Sequence, residues 1–472
     1  MKRHLRFSWQ KTALSLCIVL AATLYGCSSV SRAAHVPTHF TTHQLCSAAF
    51  VAGLDSDQFY REAIAPKTAP IGKLIQHEVD RQRQEVRASI LGVASSRAVY
   101  EPGYGCRVRH GSDASHDRDV VEPGPAAAPP LAPIAGPEVV LPSSADLRSA
   151  LDDAFVEPTT KPHRWTKAVV IVHHGHVVGE RYAPGVEPST PLIGWSMTKS
   201  VTNALLGILV RQGKLDMYAP APVPAWTSPT DPRHGITSDH LLRMVSGIQC
   251  GQSLHTNWKS MFDADTQMEF DRPDQAAFAA SAPLRTAPGK EWQYTNCNFI
   301  LLSRIIFDNA GRSALGTRQF MQRELFTPLG MEHPTMEFDS AGTPLGTIHL
   351  WATARDWARF GLLYLRDGVL VDGQRLLPEG WVDYSARLTP QSHEHGYGAG
   401  FWTQRGNSQA GMARIAAGMP ADSFMALGSQ GQYTIIIPSK DLVIVKLGWA
   451  QTPSDDFEAV SRLVKATIAA LH

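Results

Sequence analysis

The chain has 472 residues, 43% of them apolar, enough to bury one large core and leave room for a smaller extra unit. Lys and Arg total 44 against 43 Asp and Glu, a formal net charge of +1, so no chain-wide attraction to nucleic acid or anionic lipid exists. That balance excludes strongly basic nucleic-acid binders and leaves small molecules as the expected partners.

In chain order, residues 1–26 read as an export signal. Lys2, Arg3, Arg6 and Lys11 precede an apolar run from Thr12 to Tyr25, too short for a comfortable membrane span. The end of that run, Leu24-Tyr25-Gly26-Cys27, resembles the bacterial lipobox. The resemblance implies cleavage before Cys27 and a lipid on that cysteine. With Ser28 following, it also implies the periplasmic side of the outer membrane, with the lipid as the only membrane contact. An ordinary cleaved signal, giving a soluble periplasmic or secreted protein, is the other reading.

Residues 27–118 form a small N-terminal extension, where Ile71, Leu74, Ile75 and Val79, then Val86, Ile90 and Leu91, predict helix. Its chemistry is unreadable. Residues 119–145 are Pro- and Ala-rich, a composition that favours extended backbone and reads as a linker. The main domain is then 146–472. Ala168 to Val172 and His176 to Tyr182 around Gly175 predict a hairpin, and Ser196 to Arg211 an amphipathic helix. Helical or turn-rich sequence follows from Ser238 to Leu365. Strands are predicted over 432–437 and 442–448, and a final helix over 455–471. Strands at both ends with helices between them predict an α+β fold, with an antiparallel sheet closed by sequence-distant strands.

Beyond Cys17 and Cys27, four cysteines remain, and an even number in an exported chain predicts disulfides. Cys46 with Cys106 and Cys250 with Cys297 keeps each bond within its own region; three pairings are formally open. No C-x-x-C occurs, and His173, His174, His176, His393 and His395 lack carboxylate or cysteine partners at metal-binding spacing. Neither a metal nor a cofactor is expected. Trp195, Trp292 and Trp402 read equally as pocket lining or core.

The chemistry lies in Trp195-Ser196-Met197-Thr198-Lys199-Ser200 at a helix start. Residues three apart share a helical face, so Lys199 can reach the Ser196 hydroxyl, and burial would lower its pKa enough to make it a base. The unpaired N–H groups of the helix start suit a developing oxyanion. Alone, S-x-x-K is weak: Ser8-Trp9-Gln10-Lys11 matches it without meaning, and a helix cap beside a solvated lysine explains it as well. Tyr294-Thr295-Asn296, the only Y-x-N in the chain, adds a phenol able to relay a proton and an amide able to bind substrate.

Together, Ser196-Met197-Thr198-Lys199 and Tyr294-Thr295-Asn296 resemble the serine β-lactamase-like superfamily. Its relevant branch includes class C β-lactamases, family VIII esterases and 6-aminohexanoate-dimer hydrolases. The strings Leu242 to Gly247 and Ala354 to Gly361 look most like the last of these. The resemblance covers roughly Val169 to Trp449. It implies an antiparallel sheet flanked by helices beside a helical subdomain, Ser196 acylated, and Lys199 and Tyr294 handling protons. It implies substrate binding by Asn296 and by a third motif, for which the candidate is Ser429, Gly431 and Gln432. A backbone N–H of that stretch would complete the oxyanion hole with Ser196. The family's lysine is absent from this motif, where Ser429 stands, which favours neutral esters or amides over penicillins.

The function expected is therefore a serine hydrolase of small esters, amides or peptide-like compounds. The alternatives are a β-lactamase or D-Ala carboxypeptidase, or a catalytically silent cell-envelope lipoprotein.

Overall fold

The computed structural model describes residues 35–92, 94–111, 134–252, 258–452 and 456–471. The export signal, Cys27 and most of the Pro/Ala-rich stretch lie outside the described residues.

Residues 35–50 are helical. A four-stranded antiparallel meander follows: β1 (Ile75–Asp80), β2 (Glu85–Ile90), β3 (Ala94–Glu101) and β4 (Gly105–Val108). This corrects the helix expected between Ile71 and Leu91. The same apolar residues pair across strands, Ile75 opposite Ile90 and Val79 opposite Val86, so the sheet satisfies their spacing as well as a helix would. A polar turn decides between them: the Asp80 carboxylate accepts from the N–H groups of Gln82 and Arg83, both at 3.0 Å. The extension is not a separate unit. Leu45, Ala48, Phe59 and Val86 join the same buried cluster as the main sheet.

The main domain begins with β5 (Thr166–His173) and β6 (His176–Tyr182), the expected hairpin. Short strands β7 (Leu192–Ile193), β8 (Thr335–Met336) and β9 (Leu350–Ala352) make a small second sheet. Next come β10 (Trp402–Thr403), β11 (Phe424–Gly428), β12 (Gln432–Ile437) and β13 (Leu442–Gly448). The central sheet runs β10-β11-β12-β13-β5-β6, all antiparallel, so the two chain ends of the domain meet at the β13–β5 pairing.

Both faces of this sheet are covered, which is why β12 and β13 are buried throughout. Adjacent residues Val443 and Ile444 point to opposite faces. On the Val443 side packs helix Ala354–Leu365, whose Gly361 approaches so closely that a Cβ there would lie 2.6 Å from the Val443 side chain. On the other side lies Gly179, covered by Leu147 and Leu151 of helix Ala145–Ala154. Residues 134–142, expected as linker, run along β6: Val177 donates to Ile134 O and Glu180 to Val140 O, both at 3.0 Å.

Helices Thr198–Arg211 and Asn296–Asn309 pack together beside the sheet, with shorter helices around them. The whole is the predicted α+β arrangement. Among the described residues, no helix is long and apolar enough to cross a membrane.

Candidate active site

The chain enters the site through Gly194 and Trp195, whose φ of 45° is a left-handed conformation that a tryptophan adopts only under constraint. Ser196 follows in the 3₁₀ turn Trp195–Met197, which leads directly into helix Thr198–Arg211. Ser196 is half-buried and Lys199 is 1% exposed, so the serine keeps some contact with solvent while the lysine does not. Lys199 Nζ lies 3.0 Å from Ser196 Oγ, 2.7 Å from Asn296 Oδ1 and 3.1 Å from Thr347 O. Burial pushes the Lys199 pKa down, while the carboxylates of Glu269 and Asp265 partly oppose that shift.

Tyr294 is brought to the same place, with Lys199 Nζ 5.1 Å from its ring centroid. It stands in an aromatic wall: Trp402 is 5.6 Å from it, Tyr397 5.7 Å and Trp292 6.2 Å, centroid to centroid. His395 stacks on Trp292 at 4.5 Å, so this histidine belongs to the wall. Trp195 instead packs against Phe40 of the N-terminal helix. Asn296 is 7% exposed and its acceptor oxygen is committed to Lys199, which makes it a support for the lysine.

The third motif packs against the chain that leads to Ser196. Gly428 ends β11 against the backbone that leads to Ser196; a Cβ there would lie 2.2 Å from Gly194 O. Gln430 (φ 63°) and Gly431 (φ 83°) form the left-handed turn into β12. The Gln432 side chain is 1% exposed and donates to Ser429 O and Gln430 O, both at 3.2 Å, and to Gly448 O, so it braces the turn from inside. Ser429, half-buried, accepts a 2.8 Å hydrogen bond from Lys67 of the N-terminal extension. The ammonium that the motif lacks in sequence is thus supplied from elsewhere.

Sequence reasoning missed a group of buried polar residues behind Lys199. Asp265 and Glu269 lie one turn apart on helix Ala264–Asp271, 1% and 3% exposed. Asp265 accepts from Thr295 Oγ1 at 2.5 Å, and Glu269 from Thr347 Oγ1 at 2.7 Å. Burial pushes the Glu269 carboxyl up. Beyond it, His349 Nδ1 is 3.7 Å from Glu269 and the His349 ring lies 4.2 Å from that of His43. Burial holds His349 neutral, and His43 beside it pushes the same way. His43, Glu337 and His349 place donor atoms within 4.8 Å of one another, a set that could hold a cation. Hydrogen bonding already occupies much of it: Ser47 Oγ and the Cys106 N–H bind Glu337 Oε1 at 2.6 and 2.7 Å, and His43 Nε2 is 2.9 Å from Oε2. The sequence signal for this group was an acidic pair four apart beside Met268 and Phe270, which stands out only once that helix is known to be buried.

Cys46 is bonded to Cys106 and Cys250 to Cys297. The first bond ties the N-terminal helix to β4. The second anchors the start of helix Asn296–Asn309 beside Lys199.

The protein-family model described as Beta-lactamase matches residues 151–467. Among curated proteins, the chain is 30% identical over 183 residues to a D-aminopeptidase of Gluconobacter oxydans, spanning 38% of this chain but only 32% of that protein. It is 24% identical over 290 residues to the 6-aminohexanoate-dimer hydrolase of Paenarthrobacter ureafaciens, covering 60% of this chain and 72% of the relative. A solved Bacillus anthracis structure, described as a candidate 6-aminohexanoate-dimer hydrolase, superposes with a TM-score of 0.54 at 24% identity. That alignment covers 71% of this chain and 88% of the other and shows a shared fold. With the family match spanning most of the chain and Lys199 touching both the serine hydroxyl and the face of the Tyr294 ring, this protein belongs to the β-lactamase family.

Proposed function

We propose that this protein is a serine hydrolase that cleaves a small ester or amide through an acyl-enzyme on Ser196. The observation that carries the reading is the 3.0 Å contact between Oγ of the half-buried Ser196 and the buried Lys199 Nζ. Neutral Lys199 takes the proton of the hydroxyl as Oγ attacks the substrate carbonyl carbon. The resulting oxyanion lies at the start of the nucleophile helix, where unpaired N–H groups stabilise it. The bond to the leaving group then breaks, and Lys199 or Tyr294 returns the proton to the departing oxygen or nitrogen. Water repeats the cycle on the acyl-enzyme and frees Ser196. Asn296 and Thr347 hold Lys199 in place, and the wall of Trp292, Tyr397 and Trp402 orients Tyr294.

The relatives' names include both an amide-dimer hydrolase and a D-aminopeptidase, which supports acyl transfer without choosing the acyl group. The test is labelling of purified protein with a fluorophosphonate probe, read by intact mass. One adduct on the wild type and none on Ser196→Ala is expected; a folded wild type that stays unlabelled would instead identify a silent scaffold. Comparing nitrocefin with p-nitrophenyl butyrate then separates a lactamase from an esterase. We further propose export with a lipid on Cys27, consistent with two disulfides. An N-terminal peptide lacking diacylglycerol at Cys27 would remove that part.

A further inference from the structure

The third motif carries no lysine of its own, yet an ammonium sits on it. Lys67 Nζ donates to Ser429 Oγ at 2.8 Å and lies 5.3 Å from the centroid of the Trp195 ring, the residue immediately before Ser196. Lys67 lies outside residues 151–467, the part matched to the family. Lys67 and Ser429 are both half-buried, in contrast to Lys199.

The arm that presents Lys67 is fixed independently of this contact. Glu62 pairs with Lys167 at 2.7 Å, and Lys167 lies 4.3 Å from the centroid of the Trp449 ring. Gln430 Nε2 donates to Ala63 O at 3.0 Å, and Tyr60 donates its hydroxyl to Gly72 O at 2.6 Å. The arm is latched to the turn through Gln430 as well, so the ammonium is not its only tie to the motif. It also sets a positive charge on the third motif, beside a serine hydroxyl that accepts from it and keeps a proton to donate. An ammonium and a hydroxyl side by side match a carboxylate, whose two oxygens can take one bond from each.

We propose that Lys67 and Ser429 form the subsite for a carboxylate on the substrate, and that the hydrolase prefers acyl compounds carrying a free carboxylate over their neutral counterparts. This reverses the preference expected from the missing motif lysine. It rests on Ser196 being the acylated residue.

The test compares p-nitrophenyl hydrogen glutarate with p-nitrophenyl valerate, which match in chain length and differ in the terminal carboxylate. The wild type is expected to favour the glutarate, and Lys67→Gln to lower the ratio of the two kcat/KM values by about 10- to 100-fold, the range of one charge-assisted hydrogen bond. Lys67→Arg retains the charge and should keep most of the ratio. An unchanged ratio in Lys67→Gln, including a parallel loss on both esters, overturns the proposal. If Lys67→Gln does not fold, free glutarate on the wild type decides: competitive, salt-sensitive inhibition of valerate hydrolysis supports the subsite, and none at 100 mM, on the order of a weak single-contact Kd, rejects it. Calorimetric binding of glutarate to Ser196→Ala separates the two readings. Binding by that variant together with wild-type turnover rates would sink the acyl-enzyme while leaving the subsite intact.

Discussion

Glu269 and Lys199 are tied through a single residue: Thr347 donates its hydroxyl to Glu269 at 2.7 Å and offers its carbonyl to Lys199 at 3.1 Å. A buried amine and a buried carboxyl are thereby held apart by one peptide, close enough for each to influence the other's titration. Burial dominates for both, favouring the neutral form of each. A neutral lysine beside a serine is the state that a base-assisted attack requires.

The sign of the pH dependence follows. Lys199 must lose its proton to act, so kcat/KM should rise with pH, with a midpoint near 8 against the ordinary 10.5 for a lysine. Glu269→Gln removes a carboxyl that, wherever it ionises, holds the lysine's proton, so the rising limb should move to lower pH. A limb that stays put or moves up would show that Glu269 does not act on Lys199.

Ser196→Ala should abolish turnover with melting temperature nearly unchanged, because a half-buried hydroxyl replaced by a methyl group leaves the packing intact. Lys199→Ala should lose about three orders of magnitude or more in kcat, as partners of a coupled nucleophile do. Residual wild-type-like hydrolysis in either variant, measured with p-nitrophenyl butyrate, would refute the assigned chemistry.

What could be read from the sequence was what is local. Ser196 and Lys199 are three apart on one helix, and Tyr294-Thr295-Asn296 leads into another whose first turn Thr295 caps, so each motif carries its own geometry. The hairpins around Gly175 and Pro438 were legible for the same reason, with apolar runs on either side of a turn. β1 and β2 were misread because Ile75, Val79, Val86 and Ile90 satisfy both periods, and only their pairing distinguishes them. Lys67, His43 and Glu269 act across 362, 306 and 78 positions of sequence, on Ser429, His349 and Thr347 respectively. No pattern within a window of one helix or strand could join them.

The same distance makes the N-terminal helix indispensable to the core. Glu337 is fully buried and is met by His43, Ser47 and the Cys106 N–H, all from the extension. Removing His43 leaves Glu337 Oε2 without its partner in a site closed to solvent, while Ser47 and Cys106 still bind Oε1. His43→Ala should therefore destabilise the fold by about 3 kcal/mol, lowering the denaturant midpoint even though His43 touches no substrate. A variant as stable as the wild type would show that Ser47 and Cys106 suffice for Glu337.

The disulfides give the last test, because they cross-link parts of the chain that burial alone must otherwise hold. Cys46–Cys106 and Cys250–Cys297 span 60 and 47 residues. Loop closure over such lengths restricts the unfolded chain by about 4 kcal/mol for each bond. The first bond fastens the N-terminal helix to β4, so Cys46→Ser/Cys106→Ser should lower the melting temperature and loosen the arm that carries Lys67. The second sits at the start of the helix bearing Asn296, so Cys250→Ser/Cys297→Ser should lower both stability and kcat. Alkylation of the native protein followed by peptide mass analysis should find all four thiols protected. Free Cys250 or Cys297 in active enzyme would show that Asn296 reaches Lys199 without the bond.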